Sequence, residues 1–433
     1  MVVDRSGPFG LIGTGRMGSA MARRALSLGV NLVVHDAVRA RAEMLAEFGA
    51  KVAPDLHGLV GHVDTVLVSV PSDAATSEVC LGHQGVLSAM QPGDVLVDLG
   101  TSSLDLTRRI ARQAEAQGIA FLDLPVSGAP TGALAGSLTL FAGATAEQTL
   151  RLRPFTGAVG RRLVHLDRVG SGQIAKQVNN LANSITLAGA LEAVAAGCHG
   201  GSGADVAVDA LLSGRGRSWM LANRRLRIVE RSFGPPQHDL VGRRKDLRAA
   251  LALGRHYGMP LTLGQAVLDL VSDAIASGNG HLDAAALMLE FELRTAAGQA
   301  PTEATRGPRF LDALGVAAQV VNVAAGLEAM SLAAATGPAA DRIGDACRGA
   351  SASSPALEQV LDATIMPSPV EASRWLDEVE AALETVRASG VGLELASAAA
   401  RWLRHLVSGT VNWPLHWSAI RPPTARVDDW LTG

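Results

Sequence analysis

Residues 9–29, FGLIGTGRMGSAMARRALSLG, run an apolar strand into a glycine turn and out into an amphipathic helix. Gly13, Gly15 and Gly18 stand in the spacing G-x-G-x-x-G, with Arg16 and Met17 opening the helix between the last two. The first glycine makes a tight turn, the second lets the backbone approach a pyrophosphate, and the third lets helix and strand pack closely. The start of the helix then offers unsatisfied N–H groups to an anion. A second strand, NLVVHD, ends at Asp36. That acid lies about 20 residues past the turn, where a dinucleotide fold places the acceptor for a ribose 2′-hydroxyl. The stretch predicts an α/β, Rossmann-like dinucleotide-binding domain. Asp36 favours NAD, because a carboxylate repels a 2′-phosphate. NADP stays as the alternative, since Arg39 and Arg41 follow closely, either facing the cofactor or standing as solvated helix residues.

Strand–helix alternation continues. DTVLVSVP (64–71), DVLVDLGT (94–101) and AFLDLPVSG (120–128) read as buried strands of a parallel sheet. Ligands bind at the carboxyl ends of such strands, so Val70, Pro71 and Thr101 are expected to line the cofactor, unless Pro71 only terminates its strand. The start, MVVDRSGPFG, has no apolar run of signal-peptide length. LANSITLAGALEAVAAGC (181–198) approaches a membrane span in length but carries Asn183, Ser184 and Glu192, which predicts a buried core helix. A hydrophobic content of 48% with 18% charged residues fits a soluble globular protein. A net charge of −3 gives no reason to expect nucleic acid or an anionic membrane as partner. Cys80, Cys198 and Cys347 lie far apart with no CxxC pair, so neither a disulfide framework nor a metal site is expected, and a reducing, cytoplasmic location is.

Of 38 basic residues only three, Lys51, Lys176 and Lys245, are lysine. Arginine stays protonated under almost all conditions, whereas a partly buried lysine lowers its pKa and works as a base. A lysine in such a chain points to amine chemistry or to chance, and its surroundings decide. In GSGQIAKQVNN (170–180) and the residues after it, Lys176, Asn179, Asn180 and Asn183 share one helix face. Burying an unpaired polar group costs about 1–3 kcal/mol, so this stripe is either an internal hydrogen-bond network or a substrate shelf. A network has little need of a lysine.

DLPVSGAPTGALAGSLTLFAGA (123–144) resembles the signature of the β-hydroxyacid dehydrogenases, the family of 3-hydroxyisobutyrate dehydrogenase, tartronate semialdehyde reductase and, more distantly, 6-phosphogluconate dehydrogenase. GLIGTGRMGSAMA, GSGQIAKQVNN, GRGRSWML and RRKDLRAALALGRHYGMPL resemble the same family in the expected order, over residues 8 to 295. The resemblance implies a Rossmann-like domain followed by an all-α 6-phosphogluconate dehydrogenase-like domain. It implies that Ser127 and Gly128 hold a substrate carboxylate, beside Ala129. Lys176 would be the general acid/base, Asn180 would hydrogen-bond the substrate with Asn179 beside it, and Lys245 would lie near the nicotinamide. Two of the three lysines thus fall on the family's two lysine positions. As a neutral amine Lys176 would take the hydroxyl proton in oxidation, and as ammonium return it in reduction. Two departures touch the substrate more than the reaction. Ala129, followed by Pro130, stands where the family has a second glycine, and DLGTSS places Gly100 where the family has serine. Arg215, Arg217 and Trp219 either reach the substrate or stand as solvated arginines and a core tryptophan; the second is favoured.

Residues 298–309, GQAPTEATRGPR, read as a linker. Beyond it GLEAMSLAAATG (326–337) echoes ALEAVAAGCHGG (190–201), and DACRGASASSPAL (345–357) echoes DALLSGRGRSWML (209–221), both at one shared offset. EVEAALETVRASGVGLEL (378–395) echoes DLRAALALGRHYGMPLTL (246–263) after a four-residue deletion. The helical domain is expected in tandem duplicate. In the copy Lys176 becomes Asp312, Asn180 Val316 and Lys245 Asp377. The chain therefore divides into a Rossmann-like domain (1–167), a helical catalytic domain (168–297), the linker (298–309) and a degenerate helical repeat (310–433). As the resemblance implies, family helical domains pack in pairs, so the copy would make either an internal pseudo-dimer in a monomer or part of a homodimer. The tail VNWPLHWSAIRPP (411–423), with Trp413 and Trp417, is expected to clasp the helical core rather than form a lid.

These features point to an NAD(P)-dependent dehydrogenase of a β-hydroxyacid or similar small anionic alcohol. A dinucleotide sensor without turnover and an imine reductase are the alternatives; both are disfavoured by the retained Lys176. A magnesium-dependent reductoisomerase would need a two-metal carboxylate set, which Glu192, Asp205 and Asp209 do not make.

Overall fold

The structure is a computed structural model that describes residues 7–296, 307–337, 340–348 and 369–408. Residues 298–306 of the linker, 349–357 of the echoed segment and the 411–423 tail, with Trp413 and Trp417, lie outside the described residues. The chain divides into two compact units, Met1–Gln177 and Val178–Gly433.

In the first unit six parallel strands form one sheet: β1 (Phe9–Ile12), β2 (Leu32–His35), β3 (Lys51–Val52), β4 (Thr65–Val68), β5 (Val95–Asp98) and β6 (Ala120–Asp123), in the order β3-β2-β1-β4-β5-β6. Helices α1 (Arg16–Ser27), α2 (Arg39–Ala46), α3 (Leu56–Val60), α4 (Asp73–Leu81) and α5 (Leu104–Glu115) make the crossovers. β1, β4 and β5 are buried along their whole length, which is why they read as continuous apolar runs rather than alternating ones. One face packs on Met21, Leu45 and Phe155, the other on Leu59, Leu87 and Ile110. The strand order reverses between β1 and β4, so the crevice at their carboxyl ends is the place where such a sheet receives a ligand.

The stretch 120–128, expected as one strand, is two. β6 stops at Asp123, and Val126–Ser127 forms β7, antiparallel to β8 (Leu138–Ala142), which runs parallel to β9 (Gly160–His165) in a separate three-stranded sheet. Pro125 lies at the break, and proline has no N–H to give a ladder. α6 (Ala129–Ala135) and α7 (Arg153–Val159) complete this region.

α8 (Ser171–His199) leaves the first unit and enters the second. The described residues of the second unit are otherwise helical, with α9 (Ala204–Ser213), α10 (Trp219–Val229), α11 (Leu240–His256), α12 (Thr262–Ala276), α13 (Leu287–Ala296), α14 (Pro308–Ala335), α15 (Ala340–Arg348), α16 (Pro369–Ala388) and α17 (Glu394–Val407), besides short 3₁₀ turns. α8 and α14 are each long and apolar enough to cross a membrane, but their most apolar windows are 94% and 89% buried inside the protein, so both are core helices.

Two carboxylates lie within that core. Glu192 of α8 accepts from the backbone N–H of Leu395 (2.7 Å) and Ala396 (2.9 Å), at the start of α17. Glu328 of α14 accepts from Leu263 and Gly264 N–H, both at 2.9 Å, at the start of α12. Neither helix start has a side-chain cap from its own N-cap residue, Leu393 or Leu261, so the distant glutamates satisfy the orphan donors. Burial pushes both carboxyls up to about 7, against the pull of the two N–H groups each accepts. The folded chain thus holds these protons to about pH 7, whereas an ordinary glutamate releases its proton near 4.5. Stability is therefore expected to fall as pH rises from about 4.5 to about 7 and to level off above. Urea midpoints measured from pH 4.5 to 8 check this, and Glu328→Gln should make the slope shallower.

Candidate active site

The glycine turn has the shape its spacing predicts. Gly13 has φ +90°, and a Cβ there would lie 2.3 Å from the Ser69 carbonyl oxygen; a Cβ on Gly18 would lie 1.9 Å from the Gly13 carbonyl oxygen. At Gly15 a Cβ would meet nothing within 4 Å, so backbone is open to the exterior there. Gly15 caps α1 without a side-chain bond, and no acidic residue stands in the first turn. The start of α1 fits a pyrophosphate. Arg16 is exposed, while Met17 packs against the core. Val70 lies against Gly13, its Cγ1 3.0 Å from where a Gly13 Cβ would stand, and Pro71 and Thr101 follow the ends of β4 and β5.

Asp36 follows β2 and is 8% exposed. Its Oδ2 accepts from Thr14 N–H (2.7 Å) and Thr14 Oγ1 (3.2 Å), and its Oδ1 from Val38 N–H (2.8 Å). The carboxylate ties the glycine turn to the β2–α2 connection. Arg41 Nη1 stands 3.9 Å from it, and Arg39 pairs with Glu43 on the surface.

Ser127 is buried on β7, and Gly128 (φ +136°) caps α6. Ala129 follows with φ +61°, a left-handed conformation that costs an L-residue roughly 1–2 kcal/mol. The backbone therefore keeps the geometry a glycine would give, with a methyl group added.

How α8 is held at the sheet end was not foreseen. Asp123, at the end of β6, has no exposure. It accepts from Gly170 N–H (2.7 Å) and Gln173 N–H (2.8 Å), at the start of α8. Gly143 and Gly172 make room for it, since a Cβ on either would fall within 2.8 Å of its carboxylate. Gln173 also accepts from Ser102 N–H (3.0 Å) and donates to the Gly100 carbonyl (3.0 Å), while Asp98 takes Ser102 Oγ (2.6 Å). Burial, with Asp98 nearby, pushes the Asp123 carboxyl up to about 6 despite its N–H bonds. The aspartates of DLPVSG and DLGTSS were visible in the sequence, but a glutamine 50 residues away bonded to the first was not.

Lys176 is the one residue not buried between Ser171 and Gly197. One turn on, Asn180 donates from Nδ2 to Asp246 Oδ2 (2.9 Å). Lys245 Nζ stands 3.7 Å from Asp246 Oδ1, and His238 Nε2 3.6 Å from Oδ2. Asn179 is fully buried, and Asn183 and Ser184 both receive Arg243 Nη1, Ser184 at 3.1 Å. The structure thus brings Asn180 and Lys245 together on Asp246. Sequence reasoning gave no role to Asp246, Arg243 or His238 beside these residues, although all lie in or shortly before RRKDL. Arg215 is exposed and 3.7 Å from Glu378, Arg217 is exposed, and Trp219 is half-buried.

Residues 8–167 match the family described as the NAD binding domain of 6-phosphogluconate dehydrogenase. Residues 170–290 match the NAD-binding family of NADP-dependent 3-hydroxyisobutyrate dehydrogenase, and 347–406 match a domain family of unknown function. The chain is 30% identical over 293 residues to 2-(hydroxymethyl)glutarate dehydrogenase of Eubacterium barkeri, covering 68% of this chain and 97% of that one. Among solved structures, 3-hydroxyisobutyrate dehydrogenase from Salmonella typhimurium is similar at a TM-score of 0.61 and 28% identity, over 66% of this chain and 99% of that one. Psf3 in complex with NADP+ and 2-OPP is similar at 0.61 and 27% identity, over 65% and 99%. Each relative is spanned almost whole by two thirds of this chain.

Asp123→Asn sets an amide N–H₂ against one of two backbone donors and is expected to lower unfolding stability by about 1–3 kcal/mol in urea titration. Ala129→Gly relieves the left-handed strain but adds unfolded-chain freedom of about 0.5–1 kcal/mol, so the net expectation is a gain of about 0.5–1 kcal/mol by the same measurement.

Proposed function

The chain belongs to the β-hydroxyacid dehydrogenase family and is an NAD(P)-dependent dehydrogenase acting on CH–OH, and from this premise we infer its substrate class and the residues that act on it. The substrate is a small β-hydroxyacid or analogous anionic alcohol, and the observation that carries the reading is Lys176. A half-buried amine interrupts an otherwise buried helix one turn before Asn180, where a base can meet substrate while its surroundings stay dry. Ser127 and the backbone at Gly128 and Ala129 receive the substrate carboxylate. Asn180, its amide oriented by Asp246, hydrogen-bonds the substrate, with Asn179 behind it. The nicotinamide would supply the hydride acceptor. In oxidation neutral Lys176 takes the hydroxyl proton as hydride leaves the carbinol carbon, and in reduction its ammonium form returns that proton.

Gly13, Gly15, Arg16, Met17, Gly18, Val70, Pro71 and Thr101 hold the dinucleotide, with Lys245 toward its nicotinamide end. NAD is the preferred cofactor, because the Asp36 carboxylate, held by Thr14 and Val38, would repel a 2′-phosphate. The domains are those set out from the sequence (1–167, 168–297, 298–309, 310–433), the last being a degenerate copy of the second. We place the protein in the cytoplasm.

The test follows reduced nicotinamide formation with NAD or NADP and a panel of β-hydroxyacids, with Lys176→Ala beside the wild type. Turnover with NAD preferred, a kcat lower by about 10²–10⁴ in the variant, and unchanged cofactor binding are expected. Cofactor binding with no turnover on any acid would favour a sensor instead.

A further inference from the structure

The contacts of Glu192 and Glu328 interchange under the sequence echo. Glu328 is the counterpart of Glu192 at the offset that relates 190–201 to 326–337. Leu395 and Ala396 are the counterparts of Leu263 and Gly264 at the offset that relates 246–263 to 378–395. So the first copy's long helix caps a helix of the second copy, and the second copy's long helix caps the corresponding helix of the first. Both caps run between copies. The helix starts they serve lack caps of their own, with leucine at each N-cap.

A two-fold interface between identical subunits has this signature: residue i of one meets j of the other, and j meets i. Here it is written within one chain. The surfaces behind the caps are close-packed. A Cβ on Gly189 of α8 would fall 2.5 Å from Val321 Cγ1 of α14, and one on Gly216 3.0 Å from Ala318 Cβ. The second copy has no acid/base site to match. Asp312 is exposed, Val316 is buried, and Asp377 is bound by Arg404 at 3.0 Å.

We infer that the described helices α14 to α17 occupy the place a second subunit's helical domain would take, so that the chain is an internal dimer with one catalytic centre and its pairing face already covered. This rests on the tandem-copy reading and is independent of turnover. The partner this face fits is therefore the chain's own second copy, and the 433-residue protein is expected to be a monomer of 44.7 kDa.

Light scattering of the wild type, from nanomolar to micromolar concentration, and hydrogen exchange of Glu192→Gln and Glu328→Gln test it. One species of 44.7 kDa is expected at all concentrations. Glu328→Gln should speed exchange at Leu263 and Gly264 by about tenfold or more, leaving Leu395 and Ala396 as in the wild type, and Glu192→Gln should do the reverse. A stable dimer of twice that mass would overturn the internal pairing while leaving the repeat itself standing. Loss of protection within the mutated copy, or in neither helix start, overturns the crossed caps and the repeat with them. The mass is read on the unmutated chain, so a variant that fails to fold does not remove the test.

Discussion

A buried carboxylate at the edge of the sheet fixes where the helix of the proposed acid/base lysine begins. Asp123 ends β6 and binds the first N–H groups of α8, and Gln173 in the same turn binds the loop after β5. The first turn of the helix that carries Lys176 therefore starts at a set point from the carboxyl ends of two strands. An α-helix rises by a constant step of about 1.5 Å per residue, so fixing its first turn also fixes Lys176 within the first unit. The expense is a carboxylate without solvent, whose pKa rises to about 6. Two glycines, at which any side chain would strike the carboxylate, complete the socket.

The second unit uses the same device at a larger scale. Glu192 and Glu328 replace water at helix starts that lie far from them in sequence. A buried carboxyl group that accepts two N–H bonds is poorly placed to move, since a shift would leave its donors unmatched. Such groups add little net stability but define which helix sits against which, and they do so for two long apolar helices whose surfaces otherwise offer little to choose between registers.

Much of the first unit was legible because its signals are local. The three glycines, the strand ending at Asp36 and the apolar runs each act within a few residues, and β1, β2, β4 and β5 lie inside the stretches quoted for them. The error at 120–128 came from reading hydrophobicity through Pro125. β8 and β9 went unread because no period marks them. The lysine face of α8 was legible in residue identity, but its support was not. Asp246 and Arg243 meet Asn180 and its neighbours from a helix far along the chain, and no spacing rule reaches that far. Glu192 was read as a polar interruption of an apolar segment and an unconvincing metal ligand, and Glu328 was given no role, because a partner 203 residues away leaves no local trace.

The scarcity of lysine has a chemical consequence apart from catalysis. Surface arginines give the protein its positive charge, and guanidinium groups are nearly inert to acylating and aldehyde reagents under conditions that modify amines. Lys51 is exposed on β3, Lys245 is half-exposed, and Lys176 is half-buried. An amine-selective label thus finds three lysine side chains on a 433-residue chain, two of them at the proposed site. A blunt reagent becomes, on this surface, a local reporter.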